Sequence, residues 1–174
     1  NNTFCYCGNT LNSSKQISIF GDLNNCPFKG LQIINQSNIE LNCLGNSISS
    51  QTSKDSGVVI KNSNNILLKH CPISKFNHGV EIINSNNVTI RNITAIQNHG
   101  AGVALFNSTN VTIEFSNLNN NSWDGIFLEN SSSNLIKNNI IQYNLVDGIQ
   151  IFYNSYNNVI LNNDLRYNYG HAIA

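Results

Sequence analysis

Short apolar runs return along this chain at a constant interval. From Gly57 onward a segment of 22 to 24 residues repeats five times, opening on Gly57, Gly79, Gly102, Gly125 and Gly148, with Ala172 in the next such place. Each glycine is followed by a triplet whose outer members alternate inward: Val58-Val59-Ile60, Val80-Glu81-Ile82, Val103-Ala104-Leu105, Ile126-Phe127-Leu128 and Ile149-Gln150-Ile151. After an Asn/Ser turn comes a second short strand, for example Val88-Thr89-Ile90 and Asn134-Leu135-Ile136. Five residues beyond it lies a third apolar position, occupied in turn by Ile73, Ala95, Leu118, Ile141 and Leu165. A fixed period of this length means one structural unit stacked on copies of itself. The unit is too short for a helix pair and too rich in β-formers for a helical repeat. The expected fold is all-β: a single-stranded, right-handed parallel β-helix of six or seven coils, its hand set by the preference for right-handed parallel crossovers. Ile82, Leu105, Leu128 and Ile151 should form one buried stack, and Ile90, Ile113, Ile136 and Ile160 another.

The polar positions are periodic too. One column runs Cys71, Ile93, Ser116, Asn139, Asn163, and another runs Asn98, Asn121, Asn144, Asn168. Stacked amides can hydrogen-bond from coil to coil, and Asn tolerates the left-handed backbone of tight turns. Those two roles account for the 36 Asn as architecture. Upstream of Gly57, Gly30-Leu-Gln-Ile and Asn38-Ile-Glu-Leu give the strands of a longer coil, Lys15 to Phe20 offers one more strand, and Ser49 to Ser56 reads as a polar loop. The whole of 1–174 is expected to be one domain, with 1–56 as N-terminal cap coils and 57–174 as regular coils.

Composition narrows the function. Net charge is zero and only 10% of residues are charged. The scattered Lys and Arg give nucleic acid no electrostatic footprint. No apolar run is long enough to span a membrane as a helix. The first residue is Asn rather than Met, which suggests an exported chain whose signal peptide has been removed. Asn-x-Ser/Thr sequons at Asn1, Asn12, Asn35, Asn87, Asn92, Asn107, Asn110, Asn120 and Asn130 are candidate glycosylation sites, although several arise by chance in so Asn-rich a chain. Cys5, Cys7, Cys26, Cys43 and Cys71 all lie near the N-terminus and lack the spacing of a zinc or redox site, so disulfides tying down that end are expected. Cys43 and Cys71 follow equivalent strands of adjacent coils, a separation a disulfide can span.

The runs DLNNC (22–26), GLQI (30–33), SNIELNCLGNSI (37–48), NSNNVTI and NSWDGIFL resemble secreted parallel β-helix repeat proteins, NosD-like and pectin-lyase-like, and are similar to archaeal cell-surface members. The resemblance implies the pairings Cys7–Cys26 and Cys43–Cys71. Cys5 stays outside them, for an intermolecular bridge or a reduced thiol; Cys5–Cys26 with Cys7 left over is the other arrangement. Lyases that share this likeness use an acidic calcium cluster with an arginine base, yet the only arginines here are Arg91 and Arg166. Polygalacturonase-like members need clustered aspartates, of which this chain lacks an Asp-Asp pair.

What chemistry remains is sparse. The column before the anchor glycine reads His78, Ala101, Asp124, Asp147, His171. Asp124 and Asp147, one coil apart, fit a turn role, a Ca²⁺ site or a retaining carboxylate pair. His70, His78, His99 and His171 sit on different turns without a thiolate or acidic partner at ligand spacing. Trp123, Phe106 and Phe127 are candidates for a sugar-stacking platform or for packing. No cofactor is implied. The expectation is a secreted, non-enzymatic surface protein, with self as its partner. Its opening strand Ala172-Ile173-Ala174 would dock on another copy to build a layer, filament or sheath. The rival is a carbohydrate-binding or carbohydrate-cleaving β-helix of the cell envelope acting through a lateral face; a copper-maturation factor rests on repeat likeness alone.

Overall fold

In the computed structural model, which describes residues 5–12 and 15–174, three parallel sheets run the length of a solenoid. Sheet A holds seven strands, Asn9–Thr10, Leu31–Ile34, Val58–Lys61, Val80–Ile83, Val103–Phe106, Ile126–Glu129 and Ile149–Phe152. Sheet B holds seven more, Gln16–Ser18, Ser37–Asn42, Asn64–Lys69, Asn86–Arg91, Thr112–Glu114, Leu135–Lys137 and Val159–Leu161. Sheet C has four, Leu23–Cys26, Ile48–Ser50, Pro72–Ser74 and Thr94–Ile96, and continues through single bridges from Thr94 to Asn117, Ile140 and Asp164. The fold is a parallel β-helix of about seven coils, with no helix among the described residues. The 49–56 segment differs from expectation at its start: Ser49 and Ser50 pair with Ser74 and Cys26, and the loop begins after them.

Register follows the repeat. Ile82 pairs with Leu105, Leu105 with Leu128, and Leu128 with Ile151; Ile90, Ile113, Ile136 and Ile160 pair likewise in sheet B. These side chains are buried, with Ile151 and Ile160 partly so. The anchor glycines are required by close approach. A Cβ at Gly125 would stand 2.0 Å from Ile141 Cγ2 and 2.8 Å from the Gly148 carbonyl oxygen.

Polar ladders share the interior. The backbone N–H of Asn98 donates to Asn121 Oδ1, that of Asn121 to Asn144 Oδ1, and that of Asn144 to Asn168 Oδ1, at 3.0–3.1 Å. Asn121, Asn144 and Asn168 return Nδ2–H to the carbonyls of Ala95, Leu118 and Ile141. A second ladder, not apparent from sequence, runs through the buried Ser63, Ser85, Ser108 and Ser131 to Ser155. Each serine Oγ accepts the preceding coil's N–H and donates to the carbonyl two residues back. Corners need left-handed backbone, and among the described residues 16 of the 26 non-glycine positions with positive φ are Asn. The rest include Phe115 and Tyr143, so the corner tolerates other residues at a cost. At the N-terminal end Cys7 is bonded to Cys26 and Cys43 to Cys71. Cys5 is in neither bond, and burial pushes its thiol pKa up.

Candidate functional site

The column before the anchor glycine belongs to the turn. Asp124 is 1% exposed, and its Oδ1 accepts the Asp147 backbone N–H at 2.9 Å. Asp147 Oδ1 accepts the His171 N–H at 2.6 Å and faces His171 Nδ1 at 3.2 Å. His78 Nδ1 accepts the Ala101 N–H at 3.0 Å. Each of these side chains therefore caps the backbone of the next coil, whereas each Asn of the ladder caps that of the preceding one. Burial pushes the Asp124 carboxyl up to about 6; the Asp147 N–H works against this and the Asp147 charge adds to it. Burial likewise lowers the His78 pKa. Among the described residues no three His, Cys, Asp or Glu side chains gather to hold a metal ion.

The other candidates are dispersed. His70 and His99 are exposed on separate corners, with His70 Nδ1 3.1 Å from Asn42 Oδ1. Asn35, Asn87, Asn92, Asn107, Asn110, Asn120 and Asn130 are all exposed with positive φ; Asn12 is exposed on an open segment, and Asn1 lies outside the described residues. Ala172–Ala174 forms the next rung of sheet A, with Ile151 N–H donating to Ala174 and Ala174 N–H to Ile149. Phe106 and Phe127 do meet, with ring centroids 5.8 Å apart, and Phe152 and Tyr153 extend the row. Trp123 is 54% exposed on the C-to-A turn and makes no ring contact with them among the described residues.

A groove on the outer face of sheet B is a concave feature that the repeat pattern does not reveal. It encloses about 450 Å³ and runs along the solenoid axis. Its floor is the register row Gln16, Glu40, Leu67 and Thr89. One wall is a rail of corner amides: Asn87 Nδ2–H donates to Asn65 at 3.3 Å, and Asn65 Nδ2–H to Asn38 at 2.5 Å. Lys15 and Arg91 stand on its lining. Lys69 reaches Glu40 at 2.7 Å, and Arg91 holds Glu114 at 2.5 Å, with Lys137 on its other oxygen at 3.2 Å. Burial opposes ionisation of Glu114, but the hydrogen bonds from Arg91 and Lys137 outweigh it and leave its carboxyl below the ordinary range. Alternation along a strand says which residues face outward, and that is all it says; whether outward rows leave a furrow depends on side-chain lengths in neighbouring coils.

Comparison with known proteins agrees with this architecture. The model of the right-handed β-helix region matches residues 29–174. The chain belongs to that family. Its fold is similar to that of the periplasmic alginate epimerase AlgG. A double-mutant form aligns over 98% of this chain and 47% of the other, with TM-score 0.68 and 15% identity. A single-mutant form gives TM-score 0.69 at the same coverage and identity. Another AlgG structure gives 0.57 and 12%, over 91% of this chain and 49% of the other. This chain thus spans about half the length of those structures, and at such identity the likeness concerns the fold. A search of curated proteins finds no match. Nothing in these comparisons supports end-to-end assembly into a sheath or an archaeal origin. No helix among the described residues is long and apolar enough to cross a membrane.

Proposed function

We propose that this β-helix binds an extended carbohydrate chain of the cell envelope in the groove of sheet B. The observation that carries the reading is the groove itself, an open furrow with an amide rail on one side and cations on its lining. Saccharides are recognised by convergent polar groups over a preformed surface. Coils rise by about 4.8 Å, close to the length of one pyranose, so a linear chain lying along the axis meets one amide of the rail per sugar. The fold likeness to an alginate epimerase supports a carbohydrate role, and the two disulfides suit an oxidising, extracytoplasmic place. The proposal is for binding. The carboxylates that offered a catalytic pair, Asp124 and Asp147, are engaged with backbone N–H groups of the next coil.

Isothermal titration against neutral, acetylated and uronate hexasaccharides tests it. At least one should bind, and Thr89→Trp, which fills the furrow from its floor, should abolish that binding without altering the melt. Absence of binding to every saccharide, or binding untouched by Thr89→Trp, overturns the reading.

A further inference from the structure

We infer that the outer face of sheet A is a second, separate site, for a glycan that carries protonated amino groups. The face departs from simple alternation. Ala104 points outward, in register between Glu81 and Phe127, yet is fully buried. That requires the larger side chains beside it to lie over the sheet rather than stand off it. Phe106 meets His78 at 6.3 Å on one side and Phe127 at 5.8 Å on the other. Phe127 meets Phe152 at 6.3 Å, and Phe152 meets Tyr153 at 5.1 Å. Phe106 and Phe127 remain partly open, while Phe152 is 45% and Tyr153 67% exposed. The result is a row of rings climbing three coils.

Carboxylates accompany the rings. Glu129 pairs in register between Phe106 and Phe152, both on its own row. Glu81 lies two coils before Phe127 on the adjacent row and accepts the Ser56 hydroxyl at 2.7 Å. Both are partly exposed. A π face and a carboxylate attract the same ligand group, an ammonium. They repel a uronate, which sets this face apart from the groove with its lining cations. Ring faces also stack on the apolar side of a pyranose. The coil rise of about 4.8 Å lets successive sugars of an extended chain meet successive rungs. An amine-bearing, axially aligned glycan satisfies all three features together, on a face separate from the groove of sheet B.

The test is titration of the whole chain with a hexamer of β1,4-linked glucosamine at pH 6, beside its fully N-acetylated counterpart and a hexalysine peptide. The free amine form should bind at least about 10-fold more tightly than the acetylated form, the scale expected of a partly desolvated cation–π contact with a nearby carboxylate. Glu129→Gln should erase most of that preference, and Phe127→Leu, which keeps bulk and removes the π face, should weaken binding of the amine form. Thr89→Trp in the groove should leave it unchanged. Equal binding of the two hexamers, indifference to Glu129→Gln and Phe127→Leu, or equally tight binding of hexalysine overturns the inference. If the amine form is lost in Thr89→Trp, it occupies the groove: this inference falls and the proposed function stands. If no saccharide binds at all, both fall.

Discussion

Asn144→Ala should be among the most damaging single changes in the chain. Asn144 is 1% exposed. Its Oδ1 accepts the Asn121 backbone N–H at 3.0 Å and the Asn121 Nδ2–H at 3.1 Å. Its Nδ2 donates to the Leu118 carbonyl at 3.0 Å and to Asn168 Oδ1 at 2.9 Å. Alanine removes all four bonds and strands at least the Asn121 N–H and the Leu118 carbonyl, both inside the solenoid. Each orphaned buried group costs about 1–3 kcal/mol, so the expected loss is about 3–5 kcal/mol. Asn92→Ala is the control: Asn92 is exposed with φ 51°, and its replacement should cost only the left-handed penalty of about 1–2 kcal/mol. Asn144→Asp probes the donor half. At neutral pH its carboxylate would face the Leu118 carbonyl, and on acidification the protonated form regains a donor, so part of the lost stability should return. The assay is urea unfolding followed by circular dichroism and by fluorescence of Trp123, the one tryptophan. Coincident midpoints are needed before free energies are compared, because stacked repeats can unfold in parts. A loss under about 1 kcal/mol for Asn144→Ala, or one no larger than that of Asn92→Ala, would refute the ladder as a source of stability.

The Asp124 carboxyl, pushed up to about 6 by burial, holds its proton more tightly folded than unfolded, so its ionisation opposes folding above pH 6 and not below pH 3.8. Asp124→Asn keeps an oxygen for the Asp147 N–H, and should exceed the parent by about 2–3 kcal/mol at pH 8 and approach it as the pH falls toward about 3; an equal difference at both pH values would refute this. Leu128→Ala, at a fully buried position, should cost on the order of 2–5 kcal/mol, read from the same urea curves. Gly125→Ala should prevent native folding, visible as loss of the β signal, since its Cβ would overlap Ile141. Removing the Cys43–Cys71 bond, which closes 28 residues, by Cys43→Ser with Cys71→Ser should lower stability by roughly 3–4 kcal/mol, and an unchanged midpoint would show that the bond does not form.

The period of the apolar positions was enough to determine the coil, its strands and the inward stacks, because a solenoid pairs each residue with its counterpart one repeat away. That is why Ile82, Leu105 and Leu128 could be placed in register from spacing alone, and why Asn98, Asn121, Asn144 and Asn168 could be placed in one column. The serine column was equally periodic but looked like turn composition; only its burial and paired bonds reveal a second ladder. Asp124 and Asp147 were visible as a pair, while what they do depended on which backbone N–H each carboxylate meets. The outer surface was decided by tertiary structure. Ala104 is buried although it faces outward, and Glu40, Leu67 and Thr89 floor a groove although nothing marks them in the repeat. The physical reason is that inward positions are constrained by identical neighbours above and below, which leaves a periodic trace. Outward positions are constrained only by the lengths and charges of side chains on adjacent rungs, and those vary freely from coil to coil.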